Sequence, residues 1–303
     1  MHDGTAKVFI ALGGNFLSAT PDTVYTAQAM QKCRLTVQIS TKLNRSHLVT
    51  GNTALILPCL GRTEVDGQES GPQFVTVENS MGVVSASTGP LHPASEALMS
   101  EPAIVAGIAA STLGGKIPWQ KLMGDYDSIR EHISHVVAGF EDFNRKVRTP
   151  GGFRLDNPAS RRVFGTESGK ANFTVNPIRP IPLRAGEFIM MTIRSHDQFN
   201  TTVYGNDDRY RGIRGGRRVI FLNREDLLDA GLTAGERVDL ISTFDGEERI
   251  AERFTIVPYD IPRRCAATYF PETNVLVPLD SFADKSGTPT SKSVVIRLRA
   301  SAN

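Results

Sequence analysis

The segment at residues 192–202 (TIRSHDQFNTT) holds the densest set of side chains that could bind a ligand, because nearly all of them can donate or accept a hydrogen bond. Arg194 suits an anionic oxygen through its planar fork, whereas His196, Gln198 and Asn200 can pair with the edges of a heterocycle. Each buried polar group without a partner would cost about 1–3 kcal/mol. The pattern therefore predicts a bound partner. A charged hairpin turn is the alternative, although the segment is long for a turn and has no glycine.

A second candidate is the glycine turn formed by Gly13, Gly14 and Asn15, which follows a predicted buried strand at residues 7–12. At the carboxyl end of the first strand of an α/β sheet, such a turn lets backbone N–H groups approach a phosphate or a ring edge, because glycine has no Cβ to block them. The third glycine of the GxGxxG pattern is missing, so the plain nicotinamide-binding fingerprint is absent. A purely structural turn remains open as the alternative.

A third candidate, residues 39–44 (ISTKLN), follows the second predicted strand. In a sheet of this kind the ribose or the base of a nucleotide lies at that position, and an acidic residue usually binds the ribose. Here Ser40, Thr41 and Lys42 stand in place of the acid. We therefore predict that Ser40 and Lys42 contact a nucleotide, with an ordinary solvated loop as the alternative.

Further candidates lie in the second half of the chain. Residues 207–218 (DDRYRGIRGGRR) hold five arginines that could clamp a phosphate, although a solvated and self-paired loop is the favoured interpretation of a charge run alone. Residues 269–278 (YFPETNVLVP) place Asn274 at the start of a predicted strand, and Lys292 precedes the last predicted strand. For Asn274 and Lys292, edge-strand structure is the alternative.

The elements that would position these residues divide the chain into three segments. In residues 1–143, predicted strands alternate with predicted helices, which indicates a parallel α/β sheet with crossover helices. The predicted strands are 7–12, 35–39, 54–57, 73–77 and 83–85, and the predicted helices are 22–32, 104–113 and 126–137. Residues 144–186 are rich in proline and glycine turns, and we predict that they form a connector on the surface.

Residues 187–303 are predicted to form a β domain. Short apolar strands follow one another there (FIMMTIR, RRVIFLN, RVDLIS, RFTIV, NVLVPL and SVVIRLR), with one helix at Arg224–Ala230. This density of strands and turns indicates a small barrel. The helix, glycine turn and strand in DLLDAGLTAGERVDLIS are typical of double-psi barrels. The predicted fold class is thus α/β plus β: a parallel-sheet α/β domain followed by a double-psi β-barrel domain.

Composition narrows the possible functions. The net charge of +2 over 303 residues is too near neutral to favour nucleic acid as a partner. The cysteines Cys33, Cys59 and Cys265 form no CxxC pair, which argues against a disulfide framework or a local cysteine cluster and fits a reducing, cytoplasmic compartment. No apolar run reaches the roughly 18 residues of a membrane span, and the short run near the start is not expected to act as a signal peptide.

Six segments together resemble the C-terminal half of a molybdopterin oxidoreductase alpha subunit of the formate-dehydrogenase-like group. The segments that carry the resemblance are FIALGGNFLSATPD, ISTKLNRSHLVTG, ALILPCLGRTE, VENSMGVV, SHDQFNTTVYGNDDRYRG and YFPETNVLVPLDS. The resemblance covers essentially the whole chain. It implies that the first part corresponds to the family's third domain, which binds one guanine dinucleotide arm, and that the last part corresponds to the fourth domain, the double-psi barrel that contacts both pterins.

The resemblance also implies a cofactor and the residues that bind it. A molybdenum or tungsten ion would be held by the dithiolenes of two molybdopterin guanine dinucleotides. The residues predicted to bind this cofactor are Gly13, Gly14, Asn15, Ser40, Lys42, Arg194, Ser195, His196, Gln198, Asn200, Thr201, Asn274 and Lys292.

Full-length relatives of this kind begin with a region that binds a 4Fe-4S cluster through cysteines and supplies much of the active site, and nothing here corresponds to it. We therefore expect no iron–sulfur cluster and no protein ligand to the metal in this chain, and we assign no catalytic residue. The expected partners are an N-terminal catalytic half or subunit that carries the iron–sulfur region, and a small substrate such as formate. The chain is interpreted as a truncated gene product, a split subunit or a fragment.

Three functional hypotheses follow. In the first, the chain is the cofactor-binding portion of an oxidoreductase, and the metal–dithiolene centre performs the redox step. In the second, it is a truncated, non-catalytic remnant that binds the cofactor partly or not at all, and the isolated chain turns nothing over. The third, a nicotinamide-dependent dehydrogenase, is disfavoured by the missing GxGxxG pattern and by the predicted barrel.

Overall fold

The computed structural model describes residues 1–178 and 180–302, and the elements below are those of the described chain. The strands are β1 (Val8–Leu12), β2 (Leu35–Ser40), β3 (Thr53–Pro58), β4 (Asp66–Gln68), β5 (Gly71–Gln73), β6 (Val75–Glu78), β7 (Val83–Ser87), β8 (Phe153–Arg154), β9 (Glu187–Ile193), β10 (Val219–Leu222), β11 (Arg237–Phe244), β12 (Glu247–Pro258), β13 (Cys265–Tyr269) and β14 (Val294–Ala300). The α-helices are α1 (Phe16–Ala19), α2 (Thr23–Gln31), α3 (Glu101–Leu113), α4 (Trp119–Gly124), α5 (Tyr126–Val136), α6 (Phe143–Val147) and α7 (Arg224–Ala230). Short 3-10 turns span Arg45–Leu48, Pro158–Arg161 and Asn274–Leu276.

The chain forms two compact units, and they differ from the three segments predicted from the sequence. The first unit comprises Met1–Leu57 together with the described part of Arg179–Asn303, and the second comprises Pro58–Ile178. The first sheet therefore belongs with the barrel, because its loops exchange hydrogen bonds with barrel loops. The division into domains at 1–143, 144–186 and 187–303 stays a prediction.

The first unit begins with a three-stranded sheet in the order β1-β2-β3. Strands β1 and β2 are parallel, with Val8 opposite Leu35 and Leu12 opposite Ile39. Helices α1 and α2 connect them, which confirms the predicted strand–helix–strand order at the start of the chain. Helix α2 begins where Asp22 caps it by accepting a hydrogen bond from the backbone N–H of Tyr25 at 3.4 Å.

A closed six-stranded barrel forms the rest of the first unit, in the order β10-β12-β11-β14-β9-β13. Two of the pairs around the ring are parallel (β10 with β12, β13 with β9), and the other four are antiparallel. Its interior is filled by apolar side chains that are almost fully buried, among them Met190, Ile220, Leu240, Phe254 and Ile256. Helix α7 begins after the cap residue Asn223 and ends at Ala230, followed by the cap residue Gly231, whose φ of 64° favours glycine.

One predicted barrel strand is wrong. In the run NVLVPL, residues 274–279, Asn274–Leu276 forms a short 3-10 turn and the remaining residues form no strand, whereas Cys265–Tyr269 supplies the strand that pairs with β9 and β10. The backbone N–H groups of Leu276 and Val277 bond within the turn to Thr273 and Asn274. The carbonyls of Asn274 and Val277 accept the N–H of Asp22, so this apolar segment fills the core without joining the ladder.

The second unit corrects the predicted extent of the parallel sheet. The predicted strand at 73–77 divides into β5 and β6, and β6 pairs antiparallel with β7 in a sheet of order β6-β7-β8. The reason is the tight turn at residues 79–82, where the Asn79 side chain accepts the N–H groups of Met81 and Val83. A turn this short can join only antiparallel strands. The coarser prediction, a mixed α/β fold, is confirmed.

Helices α3 to α6 and the segment after them complete the second unit. Tyr126 at the start of α5 is buried, and its hydroxyl bonds to Asp66 and Ser100. The predicted connector at 144–186 is partly regular, since it contains most of α6 and the short strand β8. Beyond residue 162 the described segment has no helix or strand until β9, and Phe173 and Val175 are each 97% exposed.

Within residues 1–178 and 180–302, no helix is both long enough and apolar enough to cross a membrane. In the same residues no group of three or more His, Cys, Asp or Glu side chains converges as a metal site. The cysteines are free thiols, with Cys33 and Cys59 buried. Burial and the nearby charges of Glu101 and Glu64 raise the pKa of Cys59, so its thiol is protonated at neutral pH.

Candidate functional site

The glycine turn after β1 is held in place by main-chain and side-chain hydrogen bonds. Gly13 and Gly14 have φ angles of 64° and 73°, a region that favours glycine. The Gly13 N–H donates to the carbonyl of Ile39 at 2.8 Å, and the Asn44 side chain donates to the carbonyl of Gly14 at 2.8 Å. A Cβ at Gly14 would meet nothing within 4 Å, so the main chain there faces open space.

Asn15 links the glycine turn to the barrel loop. Its side chain is buried and donates to the carbonyl of Thr201 at 3.4 Å. Its Oδ1 accepts the hydroxyl of Ser46 at 3.0 Å, and that hydroxyl also accepts the N–H of Leu17 at 2.9 Å. Two segments that are far apart in sequence, the glycine turn and the loop after β9, therefore meet at Asn15 and Thr201.

The loop after β9 is shaped by its own polar side chains. The backbone N–H of Ser195 donates to Oε1 of Gln198 at 2.9 Å, and Nε2 of Gln198 donates to the carbonyls of Asn200 and Phe270 at 2.8 and 2.7 Å. Arg194 donates to Oδ1 of Asn200 at 2.7 Å. The backbone of Asn200 is left-handed, with a φ of 48°. Asparagine is one of the few residues other than glycine that adopt this conformation readily.

A cavity of about 710 Å³ lies between the glycine turn and this loop. It is lined by Phe9, Ile10, Ala11, Leu12, Gly13, Gly14, Asn15, Phe16, Ala19, Arg194, Asn200, Thr201, Thr202 and Phe270. Six of the thirteen predicted cofactor-binding residues are in this lining: Gly13, Gly14, Asn15, Arg194, Asn200 and Thr201. The structure thus brings together predicted residues from two segments that are far apart in the chain.

The lining fits a phosphate-bearing heterocycle. The volume falls within the roughly 300–1,000 Å³ that is usual for small-molecule and cofactor sites. Among the described residues, the lining has one cation, Arg194, and no carboxylate, which favours an anionic ligand. The hydroxyls of Thr201 and Thr202 add donors, whereas Phe9 and Phe270 provide apolar ring surface.

Three predicted residues are buried and bonded to other protein groups. Ser195 and Gln198 are buried members of the loop after β9, and both accept hydrogen bonds from Arg217 at 2.7 and 2.8 Å. Asn274 is 2% exposed, and its amide donates to the carbonyls of Ser18 and Ala19. These contacts give the three residues a structural role, and direct cofactor binding by them stays a prediction.

The remaining predicted residues lie outside the lining of the cavity. His196 packs against Tyr210, with ring centroids 3.7 Å apart and the ring planes tilted by 38°. The Ser40 hydroxyl donates to the carbonyl of Lys42 at 2.9 Å, which closes the loop after β2. Lys292 donates to the carbonyl of Thr192, and burial together with the nearby charge of Arg194 lowers its pKa.

The arginine-rich loop at 207–218 is anchored by a buried carboxylate. Asp208 is 2% exposed and accepts the Tyr269 hydroxyl at 2.8 Å and the Arg211 guanidinium at 2.6 Å. Burial alone would raise the pKa of Asp208, but the hydrogen bonds from Tyr269 and Arg211 outweigh it and lower that pKa. Arg211 also donates to the carbonyl of Arg194 at 3.3 Å. Arg211 and Arg217 therefore point at protein acceptors, as the self-paired interpretation expected.

Sequence reasoning missed several residues of the site. Phe9, Phe16 and Phe270 line the cavity, yet apolar residues beside a strand carry no signal of binding. Phe270 follows the strand Cys265–Tyr269, and recognition of that strand would have placed Phe270 at its carboxyl end, where ligands bind in related sheets. Asn44 ends the candidate segment 39–44, but its bond to the Gly14 carbonyl depends on tertiary packing that the sequence does not reveal.

Comparison with known protein families shows which domain family the barrel segment matches. Residues 188–295 match the family model described as Molydopterin dinucleotide binding domain. The chain contains a molybdopterin dinucleotide-binding domain. The matched residues include nearly all of β9, the loop with Arg194, Asn200 and Thr201, and most of the barrel. This match confirms the prediction of a molybdopterin-type cofactor.

Curated relatives match along the whole chain. The chain is 52% identical over 310 residues to "Uncharacterized oxidoreductase Rv2900c" of Mycobacterium tuberculosis, a match that covers 100% of this chain and 40% of the relative. It is 45% identical over 305 residues to "Protein YdeP" of Escherichia coli K12, covering 98% of this chain and 40% of the relative. The mycobacterial relative is thus named as an oxidoreductase, and the chain spans about 40% of the length of both relatives.

A solved structure shares the fold. Acetylene hydratase from Pelobacter acetylenicus superposes with a TM-score of 0.65 over 98% of this chain and 44% of that protein. The sequence identity is 14%, so this likeness concerns the fold alone.

Proposed function

We propose that this chain is the cofactor-binding portion of a molybdopterin-dependent oxidoreductase that resembles formate dehydrogenase. The observation that carries the proposal is the cavity in which the glycine turn after β1 meets the polar loop of the matched barrel segment. Its single cation and its threonine hydroxyls suit phosphate oxygens, and its phenylalanines suit the face of a ring. The proposed cofactor is bis-molybdopterin guanine dinucleotide with molybdenum or tungsten.

The part of this chain in the reaction would be to bind and orient the cofactor. When bound, the metal–dithiolene centre supplies the two-electron redox chemistry. Gly13, Gly14 and Asn15 would offer main-chain and amide donors on one wall, and Arg194 and Thr201 would offer donors on the other. Asn15 already bonds to Thr201, so the two walls are preorganised for a ligand that touches both.

We further propose that the barrel is a double-psi barrel. Two observations support this topology: the closed ring of six strands mixes parallel and antiparallel pairs, and helix α7 leads through Gly231 and Gly235 into β11. The loop after β9 would then occupy the end of the barrel that binds the pterins.

The proposed partner is an N-terminal catalytic half or subunit that carries the iron–sulfur region and completes the pocket for a small substrate such as formate. The chain spans about 40% of its curated relatives, which leaves room for such a polypeptide. Strand β1 also exposes an apolar row, Val8, Ile10 and Leu12, each about half exposed. Parallel sheets are normally covered on both faces, so this row supports a covering partner. A cytoplasmic location is part of the proposal and is supported by the free thiols.

The test has two steps. First, the purified chain is titrated with GDP, a probe for the nucleotide part of the cofactor, and with adenosine diphosphate as the control. We expect GDP to bind and the adenine nucleotide to bind more weakly. Second, the chain is co-expressed with a polypeptide that matches the rest of the mycobacterial relative. We expect molybdenum or tungsten, and GMP after acid hydrolysis, in the purified complex. A complex without metal and without GMP would instead support the non-catalytic remnant.

A further inference from the structure

Arg217 is the most highly connected side chain near the proposed cofactor cavity. Its side chain is 5% exposed, and all five of its N–H groups donate to protein acceptors. The acceptors are Glu272 Oε1 at 2.8 Å, Ser195 Oγ at 2.7 Å, the Gly205 carbonyl at 3.4 Å, Gln198 Oε1 at 2.8 Å and the Phe270 carbonyl at 3.0 Å.

Two aromatic rings fix the plane of this guanidinium. Its central carbon lies 4.3 Å from the ring centroid of Tyr204 and 4.8 Å from that of Tyr269. Tyr269 is also bonded to the buried carboxylate of Asp208, which anchors the same arginine-rich loop. The fork of Arg217 is therefore restrained both in plane, by its hydrogen bonds, and out of plane, by the rings.

The acceptors of Arg217 belong to the segments that build one wall of the cavity. Ser195 and Gln198 lie in the loop that presents Arg194, Asn200 and Thr201. The Phe270 carbonyl belongs to a residue whose side chain lines the cavity. The loop has no helix or strand pairing of its own apart from one bridge between Phe199 and Val203, so its shape depends on these side-chain bonds.

Arg217 itself does not line the cavity, and its donors are already occupied. We propose that Arg217 is a positioning residue: it holds the loop at residues 195–201 and the Phe270 segment in the shape that the cofactor requires, without touching the cofactor. This inference rests on the proposed function for the identity of the ligand. Lysine cannot replace this arginine, because an ammonium group has three donors and no planar fork.

Hydrogen exchange and nucleotide binding together test the proposal. The full chain is compared with Arg217→Lys, which keeps the charge, and with the matched control Arg237→Lys. The Arg237 side chain is exposed on β11 and makes no hydrogen bond among the residues that the structure describes. In Arg217→Lys we expect amide exchange at residues 195–202 to accelerate at least about tenfold and the affinity for GDP to fall at least about tenfold. We expect exchange in β10 to be unchanged, and Arg237→Lys to behave as the unaltered chain.

Each outcome has a distinct meaning. Unchanged exchange of the loop in Arg217→Lys would overturn the positioning role, and equal acceleration in the loop and in β10 would show a general stability effect and overturn it as well. If the unaltered chain does not bind GDP, the result contradicts the proposed guanine dinucleotide cofactor. The exchange comparison still decides the role of Arg217. If Arg217→Lys does not fold, Ser195→Ala takes its place. This variant removes one acceptor, so we expect roughly threefold faster exchange of the loop, and no acceleration would overturn the proposal.

Discussion

Asp22 and Arg249 form an ion pair with a nitrogen–oxygen distance of 2.8 Å, and this pair joins the start of helix α2 to barrel strand β12. Asn274 lies beside it: the Asp22 N–H donates to the Asn274 carbonyl at 3.1 Å, and the Asn274 amide donates to the carbonyl of Ser18 at 2.7 Å. These contacts fix the segment after the glycine turn to the barrel. The two walls of the cavity are therefore held together by a cluster that lies outside the cavity.

Replacement of Asp22 by asparagine should destabilise the chain. Among the described residues, Arg249 would then keep a single acidic partner, Glu247, at 3.2 Å, and would remain largely buried. Because the loss of one partner leaves a poorly solvated charge, we expect the free energy of unfolding to fall by about 1–3 kcal/mol, measured by urea denaturation. The control is Glu247→Gln, whose carboxylate is exposed and should contribute less than about 1 kcal/mol. Equal effects of the two substitutions would contradict the buried role of Asp22.

Replacement of Gly14 by alanine should affect both stability and ligand binding. The φ of 73° disfavours alanine, which we expect to cost about 1 kcal/mol, and the new methyl group would point into open space at the cavity. Gly246→Ala is the matched control, because its φ is 82°, its Cβ would also meet nothing within 4 Å, and it lies outside the cavity. We expect similar losses of stability in the two variants and weaker GDP binding in Gly14→Ala alone. Equal GDP affinity in the two would argue against a ligand at the glycine turn.

The buried Asp208 carboxylate should make the barrel sensitive to acid. Its folded pKa lies below the ordinary value of 3.8, so its contribution to stability is present above that value and is lost as the pH falls through the lower folded pKa. In Tyr269→Phe the pKa of Asp208 should rise, because the hydroxyl that stabilises the ionised form is gone. We expect this variant to lose about 1–3 kcal/mol at neutral pH and to unfold at a higher pH during acid titration. An unchanged acid midpoint would contradict the assignment.

Arg194 and Lys292 are predicted to repel each other in the ligand-free protein. Burial and the charge of Arg194 together lower the pKa of Lys292, so the folded state gains stability as the pH rises through that lowered pKa toward the ordinary value of 10.5. Arg194→Met should raise the pKa of Lys292 by removing the like charge, which NMR titration of the side-chain nitrogen would measure. It should also weaken GDP binding. A Lys292 pKa that does not move would show that burial alone sets it.

The sequence predicts some elements well because their signals are local. The helix after Asp22 has its cap residue and its apolar spacing within one short segment, and α2 forms there. The strand at 274–279 was wrong because an apolar run does not reveal whether its N–H groups will join a ladder or a turn. The antiparallel pairing of β6 and β7 was available in principle from the Asn79–Gly82 turn, but the regular alternation of elements suggested a parallel sheet.

The candidate site was predicted in part, because some of its signals are also local in sequence. The glycine turn and the loop at 192–202 stand out by composition, and the structure places six of the predicted residues around one cavity. Composition cannot separate a side chain that lines the cavity from one that bonds to other protein groups, so Gln198 and Asn274 are predicted together with Arg194 although both are buried and donate to main-chain carbonyls. Arg217 was noted only within a possible phosphate clamp, because its five acceptors come from segments that meet only in the folded chain.

The first unit is assembled from two segments with the whole of the second unit between them in sequence. The glycine turn is therefore synthesised long before the barrel loop that faces it, and contacts such as that between Asn15 and Thr201 close a very long loop. The entropic cost of closing a loop rises only slowly with its length, but contacts between distant residues slow the search for the native arrangement. During translation, β1, β2 and α2 must wait for the barrel, and a chaperone that shields their apolar surface would have its greatest effect in that interval.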